Sequence, residues 1–253
     1  MQYSILATDY DGTLARHGLV DDATIAALGR LRESGRRALM VTGREMVDLE
    51  VIFHRLDLFD LIVAENGAVL YWPHTNRSEL LHDAPSQEFV EALRQRGVEP
   101  LSVGQVIVAT VTPHDAAVLD LIKAFRLDLQ IIFNKGAVMV LPSGVNKATG
   151  LAAALQQMNT LPEKVVGVGD AENDHALLNF CGRGVAVANA VSALKEHADI
   201  VTKASHGAGV AELIDRMIAT DLQELPARPS KPRSGAPAPQ VAAQVAAASS
   251  APA

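Results

Sequence analysis

Residues 5–15 read ILATDYDGTLA. The first half is apolar without alternation, the pattern of a strand buried on both faces. It ends in two acids, Asp9 and Asp11, one residue apart, followed by Gly12 and Thr13. An ordinary polar turn explains that ending as well as a site does, so the surrounding pattern has to discriminate.

Outward from this stretch, apolar runs alternate with helical patterns. Strands are expected at 4–8, 38–42, 61–64, 164–168, 184–187 and 200–202. Helices are expected at 22–34, 45–56, 146–158, 172–180, 191–197 and 208–218. In 22–34, Ile25, Leu28 and Leu31 share a face, with Asp21 or Asp22 as N-cap and Gly35 as the stop. Buried strands alternating with helices specify an α/β fold, a Rossmann-like parallel sheet core with helices on both faces.

The rhythm changes between 80 and 142. There the order is helix (86–96), two strands within 98–111 around Val103 and Gly104, helix (114–127) and a hairpin over 129–141. The hairpin turns at Asn134, Lys135 and Gly136, and Val118, Leu121, Ile122 and Phe125 share one face of the second helix. The expected organisation is a core from 1–79 and 143–225 with an inserted α+β domain at 80–142. From 226 to 253 the chain is mostly Pro, Ala, Ser and Gln, with no acid and no aromatic. Such a segment buries too little apolar surface to offset its chain entropy, and a disordered tail with no assigned partner is expected.

The composition narrows the function. The chain has 253 residues, 49% of them hydrophobic, and a formal net charge of -7. That balance argues against a general nucleic-acid binder, which carries a basic surface. The single cysteine, Cys181, excludes a disulfide within the chain and reads as a small buried hydrophobe. No run approaches 18 apolar residues and no signal peptide is recognised, so no membrane span and a cytoplasmic location are expected. The oligomeric expectation is a monomer or a homodimer.

In an open parallel sheet, ligands bind outside the carboxyl ends of the strands. Asp9 and Asp11 follow the first strand. Thr42, Gly43 and Arg44 follow the second, and Glu65, Asn66 and Gly67 the third. Asp170, Asn173 and Asp174 follow the fourth, and Lys147 opens the helix that leaves the insertion. These groups would converge on one rim. Four carboxylates there repel one another, and a hard divalent cation such as Mg²⁺ resolves the conflict. Thr42 offers a hydroxyl, Lys147 an ammonium, and the backbone near Gly12 and Gly43 offers N–H groups. Acids with Mg²⁺ on one side, and Lys with amides on the other, describe a cradle for a phosphoryl group.

This ordered set resembles the haloacid dehalogenase-superfamily phosphatases. DYDGT (9–13) matches their nucleophile motif, VTGR (41–44) the second motif, the Lys of GVNKATG (144–150) the third and GDAENDHALL (169–178) the fourth. The resemblance covers about 1–219. The insertion resembles the α/β cap of the Cof-type subgroup, closest to the compact caps of archaeal phosphoglycolate phosphatase-like and sucrose-phosphatase-like members.

The resemblance implies Asp9 as nucleophile, forming an aspartyl-phosphate, and Asp11 as the acid and base that serves it. Thr42 and Lys147 would hold phosphoryl oxygens. Mg²⁺ would be bound by Asp9, the Asp11 backbone carbonyl, Asp170 and Asp174, the last directly or through water. Asn173 would orient the loop or touch the phosphate. The acid at Asp11 favours a phosphatase over a dehalogenase. Arg44, Asn66, Asn134 and Lys135 are candidates for contacting the leaving group, with the 134–136 turn foremost. Aromatics make up only 4% of the chain, which favours a small polar ester, a phosphosugar or phosphoglycolate, over a stacked nucleobase. Two other readings stand beside this one: a phosphotransferase or phosphomutase of the same superfamily, and a non-catalytic binding protein that kept the fold.

Overall fold

The computed structural model describes residues 1–224. Its centre is β1 (Ile5–Thr8), in which all four residues are buried. β1 pairs in parallel with β2 (Arg37–Val41) on one side and β10 (Val165–Gly169) on the other. Around them lies an eight-stranded sheet in the order β12-β11-β10-β1-β2-β3-β4-β5. Its other parallel members are β3 (Leu61–Ala64), β11 (Arg183–Ala186) and the short β12 (Ile200–Val201).

Helices cover both faces. α1 (Asp22–Glu33) packs with α8 (His206–Thr220), and α5 (Lys147–Gln157) packs with α6 (His175–Phe180). α2 (Met46–Ile52) and α7 (Ser192–His197) are shorter. α1 begins where the sequence reading places it: Asp21 accepts a hydrogen bond from Thr24 N at 2.7 Å. A short polar side chain there satisfies an amide that the first turn leaves unpaired.

Two strands depart from the expectation. β4 (Val69–Trp72) and β5 (Arg77–Leu80) pair antiparallel and extend the sheet beyond β3. The β4 run follows directly on the polar ENGA stretch, which reads as loop, and β5 is a polar run, RSEL, behind the turn at 73–76. The helices expected at 45–56 and 172–180 are both divided. The first stops at Ile52 and resumes as a 3-10 turn at Leu56–Leu58. The second starts as a 3-10 turn at Glu172–Asp174, in which Asp174 turns back onto the backbone.

A second sheet, in the order β6-β7-β9-β8, is wholly antiparallel. It consists of β6 (Ser102–Val103), β7 (Val108–Val111), β8 (Leu129–Asn134) and β9 (Ala137–Pro142). Helices α3 (Gln87–Gln95) and α4 (Asp115–Phe125) bury Phe89, Leu93, Val118 and Ile122 against Val138 and Val140. Successive residues on a strand face opposite ways. Met139 and Leu141 of β9 therefore join the main core instead, together with Val106 and Ile107. This small sheet lies over the main sheet as a cap. Among the described residues no helix is long and apolar enough to cross a membrane. The tail expected at 226–253 lies outside the described residues.

Candidate active site

Asp9 leaves β1 with its amide still bonded to Val168 O at 3.0 Å, and it is buried. The chain then turns sharply. Gly12 has a φ of 84°, and a Cβ there would overlap the Asp170 carboxylate, so only glycine fits. Thr13 donates from its hydroxyl to Asp170 Oδ1 at 3.1 Å. The turn is held from behind as well. Gly12 O accepts from Asn189 Nδ2 at 2.8 Å, and His206 Nδ1 lies 2.9 Å from the same oxygen.

Lys147 is the first residue of α5 and is 1% exposed. The Asn146 side chain caps the helix by accepting from Ala148 N and Thr149 N at 2.9 and 3.2 Å. The helix lies close to the turn after β3, where a Cβ on Gly150 would stand 2.5 Å from Gly67 Cα. That approach brings the Lys147 ammonium to 2.6 Å from both Asp9 Oδ1 and Asp174 Oδ1. Asp174 Oδ2 accepts from Asp170 N and Ala171 N at 2.9 and 3.0 Å. Carboxylate oxygens of Asp9, Asp170 and Asp174 all lie within 4.8 Å of one another.

Three buried acids against one buried ammonium leave an excess of negative charge. Burial pushes the Asp9 carboxyl up from 3.8 to about 8; Lys147 opposes this, and the Asp174 and Asp170 charges add to it. Burial pulls the Lys147 ammonium down, but Asp174 and Asp9 together raise it above its ordinary value. A hard divalent cation with oxygen ligands fits this donor set and corrects its charge.

Asp11 does not join that group. Its half-exposed side chain turns to Arg44, whose Nε and Nη2 donate to the two carboxylate oxygens at 2.6 and 2.8 Å. The expectation of four clustered carboxylates is thus corrected to three, because Arg44 holds both oxygens of Asp11 apart from the buried group. Thr42 is buried at the end of β2, and its hydroxyl accepts from Arg44 N at 3.1 Å. Gly43 faces the cap, where its Cβ would stand 3.4 Å from Met139 Sδ.

Asn173 Nδ2 donates to Asn66 Oδ1 at 3.0 Å. Their other amide atoms, Asn66 Nδ2 and Asn173 Oδ1, are buried without a partner, as is Asn134 Oδ1. Buried polar atoms are normally paired, so a water or a polar ligand would complete each of these three, as it would Thr24 Oγ1 in α1. From the cap hairpin, Lys135 reaches Asp170 Oδ2 in an ion pair, with its side chain half exposed. Four contributors carried no role in the sequence reading: Thr13, Glu65, Asn189 and His206. Thr13 sits within DYDGT and was open to view. Glu65, expected at the rim with Asn66 and Gly67, turns to the 105–107 amides instead; Asn189 and His206 act through contacts between distant segments and leave no local pattern.

A profile of the haloacid dehalogenase-like hydrolases matches residues 6–105 and 102–214. Phosphoglycolate phosphatase from Methanothermobacter thermautotrophicus is 31% identical over 223 residues, covering 84% of this chain and 98% of that protein. Phosphoglycolate phosphatase from Haloarcula marismortui is 32% identical over 219 residues, with 83% and 95% covered. A crystal structure of a haloacid dehalogenase-like hydrolase from Bacteroides thetaiotaomicron shares the fold. Its TM-score is 0.72 at 21% identity, over 85% of this chain and 99% of that one.

Proposed function

We propose that this chain, which belongs to the haloacid dehalogenase-like hydrolase family, is a Mg²⁺-dependent phosphatase that cleaves a small phosphomonoester through an aspartyl-phosphate on Asp9. The observation that carries this reading is the buried Asp9, Lys147, Asp174 and Asp170 cluster with a separate, half-exposed acid two residues beyond Asp9. A nucleophile and a proton carrier need different surroundings, and these two acids have them.

In the first step an Asp9 carboxylate oxygen attacks phosphorus, and the bond from phosphorus to the ester oxygen breaks. Asp11 gives its proton to the departing oxygen, so an alcohol leaves. In the second step Asp11 takes a proton from water as that water attacks phosphorus. The bond from phosphorus to Asp9 breaks, and inorganic phosphate is released. Lys147 neutralises a phosphoryl oxygen beside Asp9, and Thr42 donates from its hydroxyl. Arg44, a candidate for contacting the leaving group, instead holds both Asp11 oxygens in the structure, and one of them has to come free of Arg44 for Asp11 to carry a proton. Asp9, Asp170 and the Asp11 backbone carbonyl would hold Mg²⁺, and Asp174, whose oxygens accept from Lys147 and from the 170 and 171 amides, would reach it through water. The bound ion supplies positive charge to the phosphoryl oxygens as negative charge builds on them.

Gly12, Gly43 and Asn173 would complete the phosphoryl site, and Asn66, Asn134 and Lys135 would meet the leaving alcohol. Support for a phosphoglycolate-like ester comes from the two relatives and from Lys135, a cation that suits an anionic group on the alcohol. The test is a phosphate-release panel of phosphoglycolate, sugar phosphates and nucleotides, with Mg²⁺ or with chelator. Release in Mg²⁺ alone, lost in Asp9→Asn, is expected. Transfer to a second hydroxyl with no free phosphate would make the chain a phosphotransferase. No turnover of any ester would overturn the reading.

A further inference from the structure

Glu65 is a buried acid that this chemistry does not use. It belongs to the core, in the turn after β3, and is 1% exposed. Its three partners belong to the cap. Oε1 accepts from Gln105 N at 2.9 Å, and Oε2 accepts from Val106 N and Ile107 N at 2.7 and 2.8 Å. Three successive amides around one carboxylate make a charge-assisted nest. Val106 and Ile107 are buried in the main core beside it. Gly104 lets the loop come down, since a Cβ there would stand 2.8 Å from Glu65 Oε1.

The backbone of the same turn is tied to the phosphoryl-binding segment. Glu65 N donates to Arg44 O at 3.0 Å, and Asn66 N donates to Thr42 O at 2.9 Å. Glu65 and Asn66 both hold left-handed conformations, with φ of 49° and 56°. Two adjacent non-glycine residues in that region are costly and persist only where the surroundings enforce them. The strained turn sends Glu65 to the cap while Asn66 reaches Asn173. Two other polar contacts of the cap with the core are of a different kind: Lys135, half exposed, pairs with the buried Asp170, and Ser102 donates to Glu45 at the surface.

We propose that Glu65 is a positioning residue that fixes one edge of the cap, its 104–107 loop, to the segment carrying Thr42 and Arg44. With that loop fixed, the β8–β9 hairpin of the same sheet holds Asn134 and Lys135 in one place, with Lys135 at Asp170. The kinetic consequence rests on the phosphatase reading; the structural consequence does not.

The test uses two variants of the full chain with Mg²⁺ present. Glu65→Gln keeps the size but turns a donor toward donors. Gly104→Ala leaves the carboxylate intact and crowds it from the cap side. Amide exchange at 105–107 should quicken about tenfold or more in both, while α3 and α4 keep wild-type protection. With the best ester of the panel, KM should rise about fivefold or more with kcat within about twofold. Unchanged exchange at 105–107 in both variants overturns the proposal. So does a loss of kcat at constant KM with all amides loosened alike, which marks general destabilisation. If Glu65→Gln does not fold, Gly104→Ala carries the test. If the wild type hydrolyses nothing, the phosphatase reading fails and the exchange data still judge the anchor.

Discussion

Burial holds the Asp9 carboxyl near 8, against 3.8 in its ordinary state. Without a divalent cation, the folded chain therefore keeps a proton that the unfolded chain releases between about pH 4 and 8. Stability falls with pH wherever the folded state binds more protons. In chelator, Tm should decline as pH rises from 5 to 8, and Asp9→Asn should flatten that slope. Mg²⁺ should raise Tm more at pH 8 than at pH 5, because a ligand that binds only the folded state stabilises it by mass action. Thermal melts at the two pH values decide the matter; identical slopes in wild type and Asp9→Asn would refute it. Asp11 supplies the second residue-scale test. Its side chain is 41% exposed and outside the buried cluster. Asp11→Asn should cut turnover by about 10²–10⁴-fold, the usual contribution of a proton carrier. Its Tm should stay near wild type, because an exposed ion pair contributes little. A variant as active as wild type would remove Asp11 from the mechanism.

The elements act by how closely they approach one another. α5 delivers Lys147 only because Gly150 lets it lie on Gly67, where a Cβ would meet Gly67 Cα at 2.5 Å and Val63 Cγ1 at 2.6 Å. An alanine inside a helix normally stabilises by up to ~1 kcal/mol over glycine. Here overpacking costs about 1–3 kcal/mol and wins. Gly150→Ala should lower Tm and move the ammonium off Asp9, cutting kcat. Gly29→Ala in α1 is the control. Nothing lies within 4 Å of its Cβ, so it should raise Tm slightly with activity unchanged. Equal Tm changes in the two variants would mean that the close approach at Gly150 is not enforced.

The same contrast explains what the sequence could and could not disclose. Helix α5 is expected at 146–158 and forms at Lys147–Gln157, with Asn146 as its cap rather than its first residue. β1 was legible from its unbroken apolar run, and the hairpin of β8 and β9 from Asn134-Lys135-Gly136. Each of these signals is local. β4 escaped because its short run stands against a polar stretch, and β5 because its own run, RSEL, is polar. The side chain of Asp11 escaped because spacing along the chain does not record its pairing with Arg44, 33 residues on. Glu65 meets amides some forty residues away, and no periodicity records such a contact.

At the scale of the whole molecule, the chemistry is divided between two sheets. The core around the main sheet holds the three acids and, on α5, Lys147; the cap holds Lys135 and Asn134, and Met139 faces Gly43. Lys135 now pairs with Asp170, one of the acids proposed to hold Mg²⁺. A divalent cation there competes for the same oxygen, and the freed ammonium is left beside the ester with no protein anion assigned to it. A negative group on the leaving alcohol would restore the pairing. Lys135→Ala should therefore lower kcat/KM for phosphoglycolate about tenfold more than for an uncharged sugar phosphate, as expected for losing one charge-assisted contact of about 1.4 kcal/mol. With Mg²⁺ present Tm should hardly move, because the ion takes over the charge of the buried Asp170; in chelator Tm should fall, because that carboxylate loses its partner. The ratio of the two kcat/KM values, compared with wild type, is the measurement. An equal loss for both esters would place Lys135 on the phosphoryl group common to them and remove the cap lysine as the reader of the alcohol.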